Sequence, residues 1–439
     1  MTDLETKGPR LIAVMTLTAL LLGACAPQAS VPPSAAEVPV PVAAVGAGRT
    51  EKTILKLQAQ LRANPDDLRA TVLLAEAYLQ RARETADPGW YTRADALLGS
   101  ALRRQPENVE ALIAAGSLAL SRHDFSLALR LGERAAQLNP TIPRIYGVIG
   151  DAQVELGRYP DAVATIQRMV DLRPDLASFS RVSHLRELYG DVDGAIAAMQ
   201  EALQAAGQVS ENTEYVRVQL GNLYWLKGRL AEAERIYLQS LELVPNYIQA
   251  LAGEARLRVS EGRLGEAVTL YRRAAEQVPL PELVIPLGET LEAAGRTAEA
   301  EREYALVDTI QKLLAANGVK TDLEMALFVA DHRHDPARAL RLARIAYRDR
   351  PGVRGADALA WALYRAGQLP EALRRSSEAT RLKTADPMIL YHAGMIAYAA
   401  GDFRLARSRL SAALALNPHF SPLAAPIAAR TMAALEARR

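Results

Sequence analysis

Along most of the chain, apolar residues recur at three- and four-residue spacing, as in Ile145, Val148, Ile149 and Ala152. That period places them on one face of an α-helix. The pattern stops and restarts at near-regular intervals, most with a glycine inside and many with a proline near the end. Aligned this way, units start near Val109, Pro143, Leu176, Glu214, Ile248, Pro281, Lys320, Val353 and Pro387, 33 to 39 residues apart. A looser unit starts near Ala70. Longer connections fall at residues 84–89 and 208–213, and a lengthened helix is expected near 310–317.

Each unit reads as two helices joined by a tight turn. Glycine in the turn reaches left-handed dihedrals at little steric cost. Proline after the second helix ends it, because it has no amide proton to continue the ladder. A lone hairpin cannot bury its apolar stripe, so successive hairpins must stack into a solenoid. Contacts mostly between neighbouring units predict a broad or multistep unfolding.

The spacing resembles the tetratricopeptide repeat. That family has a large residue at the fourth position, small residues at the eighth, twentieth and twenty-seventh, glycine near the fifteenth and proline at the thirty-second. The unit from Pro143 matches with Tyr146, Gly150, Gly157, Ala162 and Pro174, and carries Met169 where a small residue is usual. The unit from Glu214 has Gly221, Tyr224, Gly228, Ala233, Tyr237, Ser240 and Pro245. The unit from Pro387 has Leu390, Gly394, Gly401, Ala406, Ala413 and Pro418. Gly132 stands where an aromatic is usual. The resemblance implies an all-α fold: a right-handed α-solenoid of about ten repeats over residues 70–418. Residues 50–69 read as an N-terminal capping helix and 419–439 as a C-terminal one.

Composition supports helix over sheet. Half the chain is apolar but only 5% is aromatic, so alanine and leucine, strong helix formers, supply the core. Lysine plus arginine (52) nearly balances aspartate plus glutamate (50), which argues against an electrostatic nucleic-acid binder. The single cysteine, Cys25, excludes an intramolecular disulfide framework and a cysteine-built metal site.

Residues 1–24 read as a signal peptide. Residues 11–22 form an uncharged apolar run, preceded by Lys7 and Arg10, too short to span a bilayer. The run closes on Leu22, Gly23, Ala24 and Cys25, which resembles the lipobox of bacterial lipoproteins. That resemblance implies acylation at Cys25, cleavage before it, and a membrane anchor in the bacterial cell envelope. Ala26 after the cysteine leans towards an outer membrane, with the solenoid facing the periplasm or the exterior. The Pro/Ala-rich residues 25–49 read as an extended tether.

Catalytic signatures were sought among glycine-rich phosphate loops, nucleophile elbows and zinc motifs, and none appears. Asp331-His332-Arg333-His334-Asp335 is the one local histidine cluster, and it reads as a solvated turn rather than a metal site. No enzyme activity, cofactor or metal is expected. The family resemblance turns the second, fifth, ninth and twelfth positions of each unit inward. These are Arg144, Gly147, Asp151 and Val154 in one unit, and Tyr215, Val218, Asn222 and Trp225 in another. Val218 beside Asn222 leaves no lysine for a carboxylate clamp of the chaperone-tail type. In the last two units the same positions read Arg354, Asp357, Trp361 and Tyr364, then Met388, Tyr391, Met395 and Tyr398. Rings and thioethers there suggest either self-packing or an apolar groove for a partner segment. The expected function is a lipid-anchored scaffold holding a protein or peptide partner in its concave groove, without nucleic acid. A recruiter subunit of an envelope enzyme and a peptidoglycan- or glycan-binding solenoid are the alternatives.

Overall fold

The computed structural model describes residues 42–207 and 210–437, which form helices joined by turns, with no strand among them. Ten antiparallel hairpins follow one another. Hairpins 1 to 3 pair Leu68–Thr85 with Gly89–Arg104, Val109–Ser121 with Phe125–Leu138, and Pro143–Glu155 with Tyr159–Leu172. Hairpins 4 to 6 pair Leu176–Leu188 with Val192–Gln204, Glu211–Leu226 with Leu230–Leu243, and Ile248–Ser260 with Leu264–Ala275. Hairpins 7 and 8 pair Pro281–Ala293 with Thr297–Ala316, and Asp322–Phe328 with Pro336–Asp349, a π-helical turn Val329–Arg333 extending the shorter helix. Hairpins 9 and 10 pair Val353–Arg365 with Leu369–Ala379, and Pro387–Ala399 with Phe403–Leu416. These starts reproduce the expected units to within a few residues.

Both ends are capped by a single helix. Val42–Ala63 lays Ile54 and Leu57 against Ala70, Leu74 and Tyr78 of hairpin 1. It begins inside the stretch read as tether, because the last proline there is Pro41 and nothing beyond it blocks a helix. At the other end, Ala424–Glu436 buries Ala424, Ala425, Ala428 and Leu435. Leu22, Gly23, Ala24 and Cys25 lie outside the described residues.

Every hairpin turn contains one residue with left-handed dihedrals. Seven are glycines, such as Gly157 at φ 70°, and the other three are Ala86, His123 and His334 at φ 51°, 58° and 50°. Two of the glycines are fixed by a second constraint. A Cβ on Gly157 would lie 2.9 Å from the Pro351 carbonyl oxygen, and one on Gly190 would lie 2.5 Å from that of Lys383.

Those approaches belong to a seam that neighbour-only stacking does not anticipate. The chain coils so that the turn of one hairpin meets the chain close to six hairpins later. Arg122 Nε donates to the Asn317 carbonyl at 2.9 Å, and the Lys320 amide donates to the Arg122 carbonyl at 3.1 Å. The Val353 amide donates to Tyr159 Oη at 2.7 Å, and Arg350 reaches Glu155 at 2.8 Å. Thr384 Oγ1 donates to the Leu188 carbonyl at 2.7 Å, and Asn417 Nδ2 to that of Trp225 at 2.9 Å. The partners of these side-chain bonds are 192 to 196 residues apart. Hairpins 2 to 5 are thereby bonded to the chain between Asn317 and Asn417, which adds long-range contacts to the mostly neighbouring ones expected. The first helices of the hairpins are left lining a central lumen.

Candidate functional site

The lumen is a cavity of about 1370 Å³, walled by hairpins 1 to 8 and by the chain around Pro387 and Phe420. First helices supply most of its wall, each packed against its own second helix and against the next hairpin. Polar groups enter from inward positions and from others, such as Arg181 and Gln219. Of the inward set expected from the family, Asp151, Tyr215, Asn222, Trp225 and Met388 do line the lumen. Tyr215 is the most open of them, with 47% of its surface exposed. Val218, by contrast, is buried.

Much of the polar lining is paired with itself. Arg181 grips both Asp151 oxygens, at 2.8 and 2.7 Å. Burial alone would lower the Arg181 pKa, but the Asp151 carboxylate raises it. Arg256 lies 4.7 Å above the Trp225 ring and donates to Asn222 Oδ1 at 2.9 Å. The same oxygen accepts the Tyr237 hydroxyl at 2.8 Å, and Trp225 Nε1 donates to Ser260 Oγ at 2.9 Å. Glu211 is different: it takes a long bond from Tyr247 Oη, 3.4 Å, and a weak one from Gln80, makes no ion pair among the described residues, and its Oε2 is buried. Burial pushes the carboxyls of Glu211, Glu282 and Asp386 above the usual range.

The aromatic group of the last two units is closed on itself. Trp361 is 3% exposed, stacks on the His392 ring at 4.2 Å, and donates Nε1 to Asp331 at 2.7 Å. Asp357 is buried and pairs with His392 Nδ1 at 2.9 Å. Tyr391 is buried between Trp361 and Phe420, and burial pushes its phenol up to about 12. Tyr364 and Tyr398 are half-buried, beside Trp361 and Phe403 respectively. Met395 is half-buried and its sulfur takes the Thr431 hydroxyl of the C-terminal helix at 3.7 Å. Met388 is the member that reaches the lumen. Arg354 is open to water, and although burial works to lower its pKa, the nearby Glu155, Glu187 and Asp386 raise it. The eight residues therefore do not form one continuous groove between 353 and 400.

The histidine cluster is also divided. His332 meets Glu289 at 3.1 Å and stacks on Tyr304 at 4.4 Å. Asp331 serves Trp361, while Asp335 caps the next helix by accepting the Arg338 amide at 2.8 Å. No group of three metal-ligating side chains occurs among the described residues.

Sequence reasoning missed Arg83, Tyr91 and Glu211, which line the lumen, whereas Glu282 is the second position of its unit. The signal was the pair of longer connections, one flanked by Arg83 and Tyr91 and the other containing Glu211. Ala86 and Pro88 come from residues 84–89, Glu211 and Asn212 from 208–213, and all four face the same cavity. Insertions in repeat proteins map to loops on one face, often the binding face.

Family models of the tetratricopeptide repeat match residues 89–143, 148–210 and 215–247, within hairpins 1 to 5. Anaphase-promoting complex subunit 7 of Arabidopsis thaliana is 24% identical over 204 residues, 46% of this chain and 36% of that protein. Superkiller complex protein 3 is 30% identical in mouse over 99 residues and 33% in human over 101, 23% of this chain each time. The chain spans 36% of the plant relative's length and 6% of the mammalian ones. Among solved structures, the human IFIT1 dimer with PPP-AAAA is similar at 15% identity, covering 85% of this chain and 88% of that one, TM-score 0.45. The APC/C hetero-tetramer Cut9-Hcn1 is similar at 13% identity, covering 89% and 94%, TM-score 0.38.

Proposed function

We propose, from tetratricopeptide repeats in residues 89–247, that this protein is a non-enzymatic scaffold that holds an extended segment of a partner protein in its lumen. The observation that carries this reading is the cavity itself. At about 1370 Å³ it exceeds the roughly 300–1,000 Å³ of small-molecule pockets, and its lining alternates apolar walls with hydrogen-bonding groups along its length. Such a surface suits a polypeptide, which offers both kinds of contact at short repeat.

The test is site-specific photocrosslinking in the full chain. A photoreactive residue at Tyr215, inside the lumen, is expected to give partner adducts that map to one short segment. The same group at Leu238, exposed on a second helix and outside the lumen lining, is expected to give none. The reverse pattern would move the site to the outer surface.

We also propose that acylated Cys25 tethers the scaffold to a membrane of the bacterial cell envelope, the outer membrane where there is one. Leu22, Gly23 and Ala24 before the sole cysteine, and the proline-rich residues after it, support this. A diacylglycerol mass on a mature chain beginning at Cys25, and release from membranes by Cys25→Ser, are the expected results. An unmodified soluble chain would remove the anchor and leave the scaffold reading intact.

A further inference from the structure

The lumen is acidic within a chain whose formal net charge is +2. Its lining carries six carboxylates, of Asp151, Glu187, Glu211, Glu282, Glu324 and Asp386, against three guanidiniums, of Arg83, Arg181 and Arg256. Two of the guanidiniums are engaged: Arg181 by Asp151, Arg256 by the Trp225 face and Asn222. Outside that lining, Arg350 is shared between Glu155 and Glu324, and the exposed Arg354 stands among Glu155, Glu187 and Asp386. With these included, carboxylates still outnumber cations.

Glu211 and Glu282 are where the shortage falls. Neither makes an ion pair among the described residues, and both act electrostatically on groups of one neighbourhood, Glu211 with Arg83, and Arg83 and Glu282 with Tyr91. Arg83 itself donates to Gln80, and its attraction does not offset the burial that raises Glu211. The unsatisfied atoms agree in kind. Glu211 Oε2, Glu324 Oε2 and Gln249 Oε1 are buried without a partner, and all three are acceptors on lumen-lining residues. Buried acceptors and unpaired carboxylates are costly until a donor or a cation meets them. An ammonium brings three donors and a guanidinium five, with no acceptor on either.

We infer that the segment captured in the lumen is cationic, its lysine or arginine side chains seated against Glu211 and Glu282 beside Tyr91. This rests on lumen capture and adds the chemistry of the captured segment. An anionic ligand would instead add its charge to six carboxylates.

Fluorescence anisotropy with the full chain tests it, using three labelled peptides of matched length and apolar content whose polar positions are all lysine, all serine or all glutamate. The lysine peptide is expected to bind about tenfold or more tighter than the serine peptide, and to weaken as salt is raised. The isosteric double variant Glu211→Gln/Glu282→Gln is expected to bring its affinity down to that of the serine peptide, with helical dichroism unchanged. Glu107→Gln, exposed and paired with Arg134 outside the lumen lining, should leave it unaltered. If the double variant does not fold, Glu282→Gln alone, at a side chain already open to the lumen, carries the test. Equal or tighter binding of the serine or glutamate peptide, or of a 5′-triphosphate RNA oligonucleotide, overturns the inference. Wild-type affinity in the glutamine variant does the same. Failure of all three peptides removes it as well, while crosslinking at Tyr215 decides separately whether the lumen captures anything.

Discussion

His392 shows how far one buried side chain can depend on its surroundings. It is 2% exposed, and burial alone would strip its proton, yet Asp357, with Asp331 and Asp386 further off, holds its pKa above the usual value. A folded pKa above the unfolded one contributes stability that is fully present below about 6.5. That stability is lost as pH rises through the folded value. The melting temperature is therefore expected to fall from about pH 6 to about pH 8 more steeply in the wild type than in His392→Gln. Equal slopes would show that the pair carries no such linkage. The Trp361 ring stacked on this histidine was legible in sequence as an inward aromatic, but its burial was not, because its partners His392 and Asp331 come from two other units and His392 lies outside the inward positions of its own. Trp361→Ala is expected to cost about 3–5 kcal/mol in a urea titration, as large core truncations do. A loss below about 1 kcal/mol together with weakened partner capture would return Trp361 to the contact surface.

Between elements, close packing depends on small residues meeting large ones. The Tyr237 ring is wholly buried between Gly221 of its own hairpin and Gly253 of the next, where a Cβ on either glycine would lie 2.5 Å from a ring carbon. Hairpin 2 reaches the same end in another way: Gly132 replaces the usual aromatic, and Ile149 of hairpin 3 fills the space, 2.7 Å from where a Cβ would be. This is why an irregular unit did not disturb the register. Gly253→Ala is expected to destabilise by about 1–3 kcal/mol through overpacking. Gly265→Ala, with no neighbour within 4 Å of the added carbon, is expected to stabilise by about 0.5–1 kcal/mol, as helix glycines generally allow. Chemical denaturation of the two variants settles both signs, and a stabilised Gly253→Ala would contradict the packing described.

At the scale of the whole molecule, the seam changes how the solenoid should unfold. Each bond in it contributes about 0.5–1.5 kcal/mol net, and together they connect parts of the chain that repeat stacking alone would leave independent. Amides in hairpins 3 and 9 are accordingly expected to exchange with a common opening free energy in native-state hydrogen exchange. Arg350→Met, which breaks the links to Glu155 and Glu324, is expected to separate them. Independent opening in the wild type would mean that the seam is too weak to couple the turns.

The sequence by itself determined the hairpins and where they start, because helical period, turn glycines and terminating prolines act over a few residues and repeat along the chain; of the expected inward positions only some, such as Asp151, Tyr215 and Asn222, face the lumen. It also marked the two longer connections, though not what they were for. Tertiary structure alone decided that the superhelix closes on itself, since the small rotation between successive hairpins accumulates over close to six of them before any contact is made. That closure turned a concave surface into a lumen and brought Ala86 and Pro88 to the same cavity as Glu211 and Asn212. It also left Glu211 and Glu282 unpaired inside, which no local pattern records because their neighbours are distant in the chain.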